Sequence, residues 1–194
     1  VPGVVALVMA VVGTFLTSLT IAREWERGTM EQLISTPVTP MEIMLGKLTP
    51  YIVIGLFDTC VCAIVGVWWF EVPFRGAIWV FFLSSIMFLT VVLSMGYFFS
   101  VIAKTQLSAS QISLIATFLP SFMLSGFMYP IDQMPSIIQI ITHIVPARYY
   151  MEILRNVFLK GTSFILMWQD LLGLAIFALL LAVIATRVFK KRLD

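Results

Sequence analysis

Charge is what this 194-residue chain has least of. Asp, Glu, Lys and Arg make up 11% of it, against about 25% in an ordinary soluble domain. With 60% apolar residues and a mean hydropathy of +1.03, a fold of this size has too few polar groups to cover itself in water. His143 is the only histidine. The two cysteines, Cys60 and Cys62, lie two apart in one apolar run. On a helix they point in different directions, so they read as packing rather than as a redox or metal pair. A formal net charge of +2 without a basic stripe excludes a nucleic-acid surface. No phosphate loop is present. Around Gly46-Lys47, Met41 stands where the first glycine belongs and Leu48 where the hydroxyl belongs. Nucleophile elbows, H-E-x-x-H and compact carboxylate pairs are missing as well. Energy for any work must therefore come from a partner or an ion gradient.

What the chain has instead is long apolar runs. A membrane span needs about 20 mainly apolar residues. Five stretches qualify: 4–22, 48–70, 77–103, 107–127 and 168–187. The expected fold is an all-α polytopic membrane helix bundle, one domain over residues 1–194, with five transmembrane helices and short interfacial helices. Arg23, Arg27, Lys47, Lys104, Arg187, Lys190, Lys191 and Arg192 fall on one side of these spans. Arg75, Arg148, Arg155 and Lys160 fall on the other. The positive-inside rule places the first side, with the C-terminus, in the cytoplasm. The run opening at Val1 lacks the charged start and cleavage site of a signal peptide, and reads as part of a longer protein.

One charged island interrupts the apolar sequence, at 23–47. It holds Glu24, Glu26, Glu31 and Glu42 together with Arg23, Arg27 and Lys47. Thr29-Met-Glu-Gln32 fits a capping box, and Thr36-Pro37 would end the short helix that follows it. Thr39-Pro40-Met41-Glu42 fits a second box, with proline at the first helical position. The helix begun there runs through Gly46-Lys47 into the next span. The spacing thus predicts a helix, a sharp corner and the root of another helix on the cytoplasmic side. A solvated, well-capped loop is the plainer reading.

Three other features stand out. Asp58 lies mid-span, where an ionisable group costs at least about 2.5 kcal/mol and should face a bundle interior, a partner or water. A pathway role and a packing role fit it equally. Pro50 and Pro120 would bend their spans. Residues 130–162 are too polar for a span and too apolar for a loop. Two short outer helices are expected there, the second starting at Pro146 and closing at Gly161. Its polar side would carry Arg148, Glu152, Arg155 and Asn156, with Arg148 and Glu152 four apart. Its apolar side would carry Tyr150, Leu154, Val157 and Phe158.

Residues Glu24–Lys47, E-W-E-R-G-T-M-E-Q-L-I-S-T-P-V-T-P-M-E-I-M-L-G-K, resemble the cytoplasmic loop of type-2 ABC exporter permeases. L-S-G-F-M-Y-P at Leu124–Pro130 resembles the end of their fifth span, and P-A-R-Y-Y-M-E-I-L-R-N-V-F-L-K-G at Pro146–Gly161 resembles the segment before their last span. The likeness covers nearly the whole chain and points to the bacterial multidrug and export branch. It implies a permease subunit without its first span, paired with a second permease copy or paralogue. It implies a separate ABC ATPase subunit that holds ATP and Mg²⁺, with no cofactor in this chain. It further implies that Glu24, Glu26, Arg27, Gly28 and Glu31 belong to an ATPase-coupling element. An amphiphilic substrate would cross a bacterial inner membrane by alternating access. Two other classes compete: an ion-coupled carrier using Asp58, and an intramembrane lipid-modifying enzyme using Asp58, His143 and Glu152. The lack of a compact acid–base cluster speaks against the enzyme.

Overall fold

In a computed structural model of the chain, residues 2–29, 39–103, 105–161 and 164–193 are described. Every regular element among them is helical. α1 spans Pro2–Glu26, α2 Pro40–Trp68, α3 Ile78–Ile102 and α4 Gln106–Leu124. A 3-10 turn at Ile131–Gln133 leads to α5, Ser136–Thr142, and then to α6, Pro146–Arg155. α6 widens into a π-turn at Asn156–Lys160 before α7, Phe164–Leu193. Of these, α1, α2, α3, α4 and α7 are long and apolar enough to cross a membrane.

α3 forms the centre of the bundle. Phe88, Leu89, Val92, Leu93 and Tyr97 are all buried on it, with α1 and α7 packed alongside. Small residues let the helices approach closely, since lipid supplies no hydrophobic drive between them. At Gly96 a Cβ would stand 2.6 Å from the Thr14 carbonyl oxygen, so α1 and α3 nearly touch there. The Thr14 hydroxyl donates to its own helix at Ala10 O, 2.7 Å, and lies 3.4 Å from Val92 O across the crossing. α1 also meets α4. Ser18 donates to Ala109 O at 3.2 Å, and Ala22, Ala103 and Ala109 bury together. The hydroxyls of Thr17, Ser94, Ser113 and Thr117 lie inside the bundle without a hydrogen-bond partner.

The second capping box forms as its sequence dictates. Thr39 N–H donates to Glu42 Oε2 at 2.8 Å, Glu42 N–H donates to Thr39 Oγ1 at 3.4 Å, and Pro40 takes the first helical position. α2 then continues without a break through Pro50, where the Thr49 hydroxyl donates to Leu45 O at 2.6 Å. Its 29 residues make a rod of about 43 Å, longer than the roughly 30 Å hydrocarbon core. A rod of that length tilts within the bilayer or stands out of it. Ile43, Met44 and Leu48 near its start pack with Ile21 of α1, Leu93 and Tyr97 of α3, and Ala185 of α7. The first box, at Thr29–Gln32, and the short helix expected after it lie outside the described residues, apart from Thr29.

The two outer helices differ from each other. α5 and the turn after it show Ile137, Ile140 and Ile144 at 74%, 71% and 71% exposure. α6 buries Tyr150, Met151, Ile153 and Leu154 completely or nearly so, followed by Val157 and Phe158. Phe74, Phe81 and Phe158 meet edge to face, with centroids 5.1–5.9 Å apart. The π-turn ends at Gly161 in the left-handed region, as the sequence predicts. The Val157 carbonyl in that turn accepts from the backbone N–H groups of Arg75 and Gly76, at 3.2 and 2.8 Å. The α2–α3 turn is thereby fastened to α6.

Candidate functional site

The charged island begins where α1 runs out of apolar sequence. After Ala22 come Arg23, Glu24, Trp25, Glu26 and Arg27, and the helix closes on Gly28. Gly28 has φ +69° and its N–H donates to Trp25 O at 3.2 Å, a left-handed C-terminal cap that a side chain would strain. A Cβ at Gly28 would meet nothing within 4 Å, so backbone conformation and not crowding calls for glycine there. The Thr29 hydroxyl donates to Glu24 O at 3.2 Å and takes up another free carbonyl of α1.

The two carboxylates of this last turn are committed inside the chain. Glu24 forms an ion pair with Lys47 of α2. Glu26 reaches the opposite way, to the first residue of α4. Its Oε1 accepts from the Gln106 backbone N–H at 2.7 Å, and its Oε2 accepts from Gln106 Nε2 at 2.6 Å. Arg23 Nε donates to Gln106 Oε1 at 3.4 Å. Gln106 is thus bracketed by both ends of one α1 turn. A helix start leaves four N–H groups free and carries positive dipole, so a carboxylate there is well placed. Thr105 caps the same helix from within, accepting from Ser108 N–H at 3.2 Å. Arg27 is exposed. Glu31 lies outside the described residues.

Sequence reasoning placed Glu24 and Glu26 in this corner but missed Gln106 and the use made of Lys47. The only local signal for Gln106 was its position just after the Thr105 cap. Its partner lies 80 residues away.

The outer residues also have their own partners. Arg148 and Glu152 are four apart but do not serve each other. Arg148 donates to Gln139 O at 3.3 Å, to the Thr142 hydroxyl, and to His143 Nδ1 at 3.0 Å. Glu152 pairs with Lys160 at 3.5 Å. Arg155 donates to Gly126 O and holds the turn after α4. The expected polar side of α6 is therefore the set of ties from α6 to the preceding outer segment and to its own end. Asn156, expected on that polar side, is buried. Tyr150 is stacked on Phe88 with centroids 4.2 Å apart and shares a 2.9 Å hydrogen bond with Ser85 Oγ. Burial raises its phenol above the ordinary tyrosine range, so it remains a neutral hydrogen-bonding group.

Asp58 is exposed on α2, on a shallow cleft walled by Met9 and Gly13 of α1, Tyr51 and Gly55 of α2, and Leu89 of α3. It does not point into the core of the chain. A cavity of about 230 Å³ lies between α1, α3, α4 and the α5–α6 joint. Ala10, Phe88, Val92 and Ala116 form its apolar wall, with Thr117 and Ser121 beside Pro120 on α4. Proline lacks an N–H, which leaves the Ala116 carbonyl in that wall without its usual helical donor. Asp58, His143 and Glu152 are not gathered into one site. No group of three His, Cys, Asp or Glu side chains among the described residues could hold a metal ion.

The probable multidrug ABC transporter permease YbhS of Escherichia coli is 43% identical over 194 residues, all of this chain and 52% of the relative. YbhR of the same organism, also called a probable multidrug ABC transporter permease, is 28% identical over 192 residues, 99% of this chain and 52% of the relative. An ABC transporter G family member of Dictyostelium discoideum, number 20, is 25% identical over 162 residues, 84% of this chain and 22% of the relative. The chain spans about half the length of the bacterial relatives it matches. The model of the ABC-2 family transporter proteins matches residues 1–187, nearly end to end, and with five helices long and apolar enough to span a membrane this chain belongs to that family.

Proposed function

We propose that this chain is the membrane-spanning part of a permease subunit of an ATP-binding-cassette exporter. It moves an amphiphilic or lipophilic substrate out of the cytoplasm across a bacterial inner membrane, by alternating access. The observation that carries this reading is the corner at 23–47. Two spanning helices come together there through charged residues, on the basic side of a bundle whose sequence has no nucleotide motif. ATP and Mg²⁺ are held by a separate ABC ATPase that docks on this corner, and the C-terminus lies on the same cytoplasmic side. Arg27 and Glu31 are the charges we assign to that docking, since Glu24 and Glu26 have partners within the chain. A second permease copy or a paralogue completes the transporter. It covers part of the apolar surface that α2 and α4 leave exposed, including Val53, Phe57 and Ile115. The mostly apolar cavity beneath α6, with a few hydroxyls on one wall, suits an amphiphile. Asp58 marks the path or a helix contact. The family match favours the exporter over an ion-coupled carrier or a lipid-modifying enzyme.

The test is purification of the intact tagged permease from membranes in mild detergent. A vanadate-sensitive ATPase should come with it, and Gly28→Val or Arg27→Glu should lose most of that ATPase while the permease stays inserted. If no ATP-hydrolysing protein co-purifies with the wild type, the reading fails.

A further inference from the structure

The inner corner contains a joint that docking does not explain. Glu26 and Glu24 are two residues apart on the last turn of α1, and they reach to opposite sides. Glu24 holds α2 through Lys47, and Glu26 holds α4 through Gln106. α4 has no short connection to α1: it follows α3 in the chain, 80 residues beyond Glu26. Whatever moves residues 27–39 acts directly on α1 and α2, which those residues join. It reaches α4 only across side chains. Near the joint, Ser18 donates to Ala109 O at 3.2 Å and Ala22 packs on Ala109, so the inner end of α4 is seated against α1. Beyond these contacts the Ser113 and Thr117 hydroxyls of α4 have no hydrogen-bond partner.

We propose that Glu26 and Gln106 are positioning residues which make α4 follow α1, so that a push on the cytoplasmic loop is delivered to three spans and not two. This rests on the exporter reading above. It assigns Glu26 to transmission inside the permease rather than to contact with an ATPase. The hydrogen bonding also specifies how the pair can be exchanged. When Glu26→Gln is combined with Gln106→Glu, the amide oxygen introduced on α1 accepts the backbone N–H of residue 106. The amide NH₂ beside it donates to the carboxylate introduced on α4. Arg23 then faces that carboxylate instead of an amide oxygen, so the exchanged pair is fully satisfied. Either single change is not. Glu26→Gln sets two amide NH₂ groups against each other or turns one toward Arg23, and Gln106→Glu sets two carboxylates together.

The experiment uses the intact permease with its co-purified ATPase in lipid nanodiscs, in a Cys60→Ala, Cys62→Ala background. Met123, exposed near the far end of α4, is replaced by cysteine and labelled with a maleimide before and after ATP with vanadate. In the otherwise unchanged protein the labelling rate should change severalfold with nucleotide. Glu26→Gln and Gln106→Glu should each keep the ATPase bound and hydrolysing while that change shrinks to near zero. The double exchange should restore it. The proposal is overturned if nucleotide leaves Met123→Cys labelling unaltered in the unchanged protein, or if both single variants keep the full response. It is also overturned if Glu26→Gln releases the ATPase and the double exchange does not recover it, which would make Glu26 a docking residue. Failure of the exporter reading looks different, because then no ATPase is present to measure.

Discussion

The two ends of the bundle are held by different forces. At the outer end, α6 is fixed by burial: Tyr150, Leu154 and Phe158 have no exposed surface, and Phe74 and Phe81 interlock with Phe158. At the inner end a smaller buried cluster around Ile21, Met44 and Leu48 is supplemented by charged and amide side chains that tie α1, α2 and α4. Burial on this scale is strong and insensitive to salt or to a docking protein. Polar ties near the surface are individually weak, because water competes for both partners. The outer end is therefore built to stay as it is, and the inner end is built to be adjusted by whatever touches it.

That contrast sets the order of expected effects. Phe158→Ala should cost the most, about 3–5 kcal/mol, through lost contacts and the cavity left behind. Ile140→Ala, on the exposed α5, should stay within about 0.5 kcal/mol. Equilibrium unfolding in mixed detergent micelles measures both, and similar values for the two would remove the distinction between α5 and α6. Thr39→Ala should have an intermediate effect of about 1 kcal/mol, confined to the start of α2. Hydrogen exchange should quicken at residues 41–43 and remain unchanged at residues 52–60. Lys47→Gln should cost about 1 kcal/mol or somewhat more, since it leaves the buried Glu24 Oε2 without its cation, and 1 M salt should remove only part of that cost. Complete loss of the effect in 1 M salt would mean that the pair is held by surface electrostatics alone.

Much of this fold was legible in the sequence because apolar length and helix caps are local signals. The all-α class, the box at Thr39–Glu42 and the glycine stop at Gly161 each follow from neighbouring residues. The apolar side of α6 was legible for the same reason. The partners of its polar side were not. Four-residue spacing suggests that Arg148 meets Glu152, yet α5 folds back and offers Arg148 the carbonyl of Gln139 together with Thr142 and His143. Pro50, expected to bend α2, lies within the helix. The helix continues on both sides of it, with the Thr49 hydroxyl on the Leu45 carbonyl. At the corner, sequence grammar identified Glu24 and Glu26 as charges near a helix end. It offered no means of knowing that Gln106 and Lys47 would reach them, since tertiary pairing leaves no trace in a single chain's spacing.

The unpartnered hydroxyls of the bundle carry a mechanical consequence. Thr17, Ser94, Ser113 and Thr117 bring polar atoms into the interior without a bond that fixes one helix register. Sliding or tilting one helix against another there would break no hydrogen bond of theirs. α4 is then a panel pinned at both short edges, by Gln106 at one and by the Arg155 bond to Gly126 just past Leu124 at the other. Its 19 residues give a length of about 28 Å, so a tilt of about 10° about the Gln106 end would carry the Leu124 end about 5 Å. A displacement of that size is comparable to the width of a fatty chain, and what resists it at that end is the bond from Arg155 to the Gly126 carbonyl.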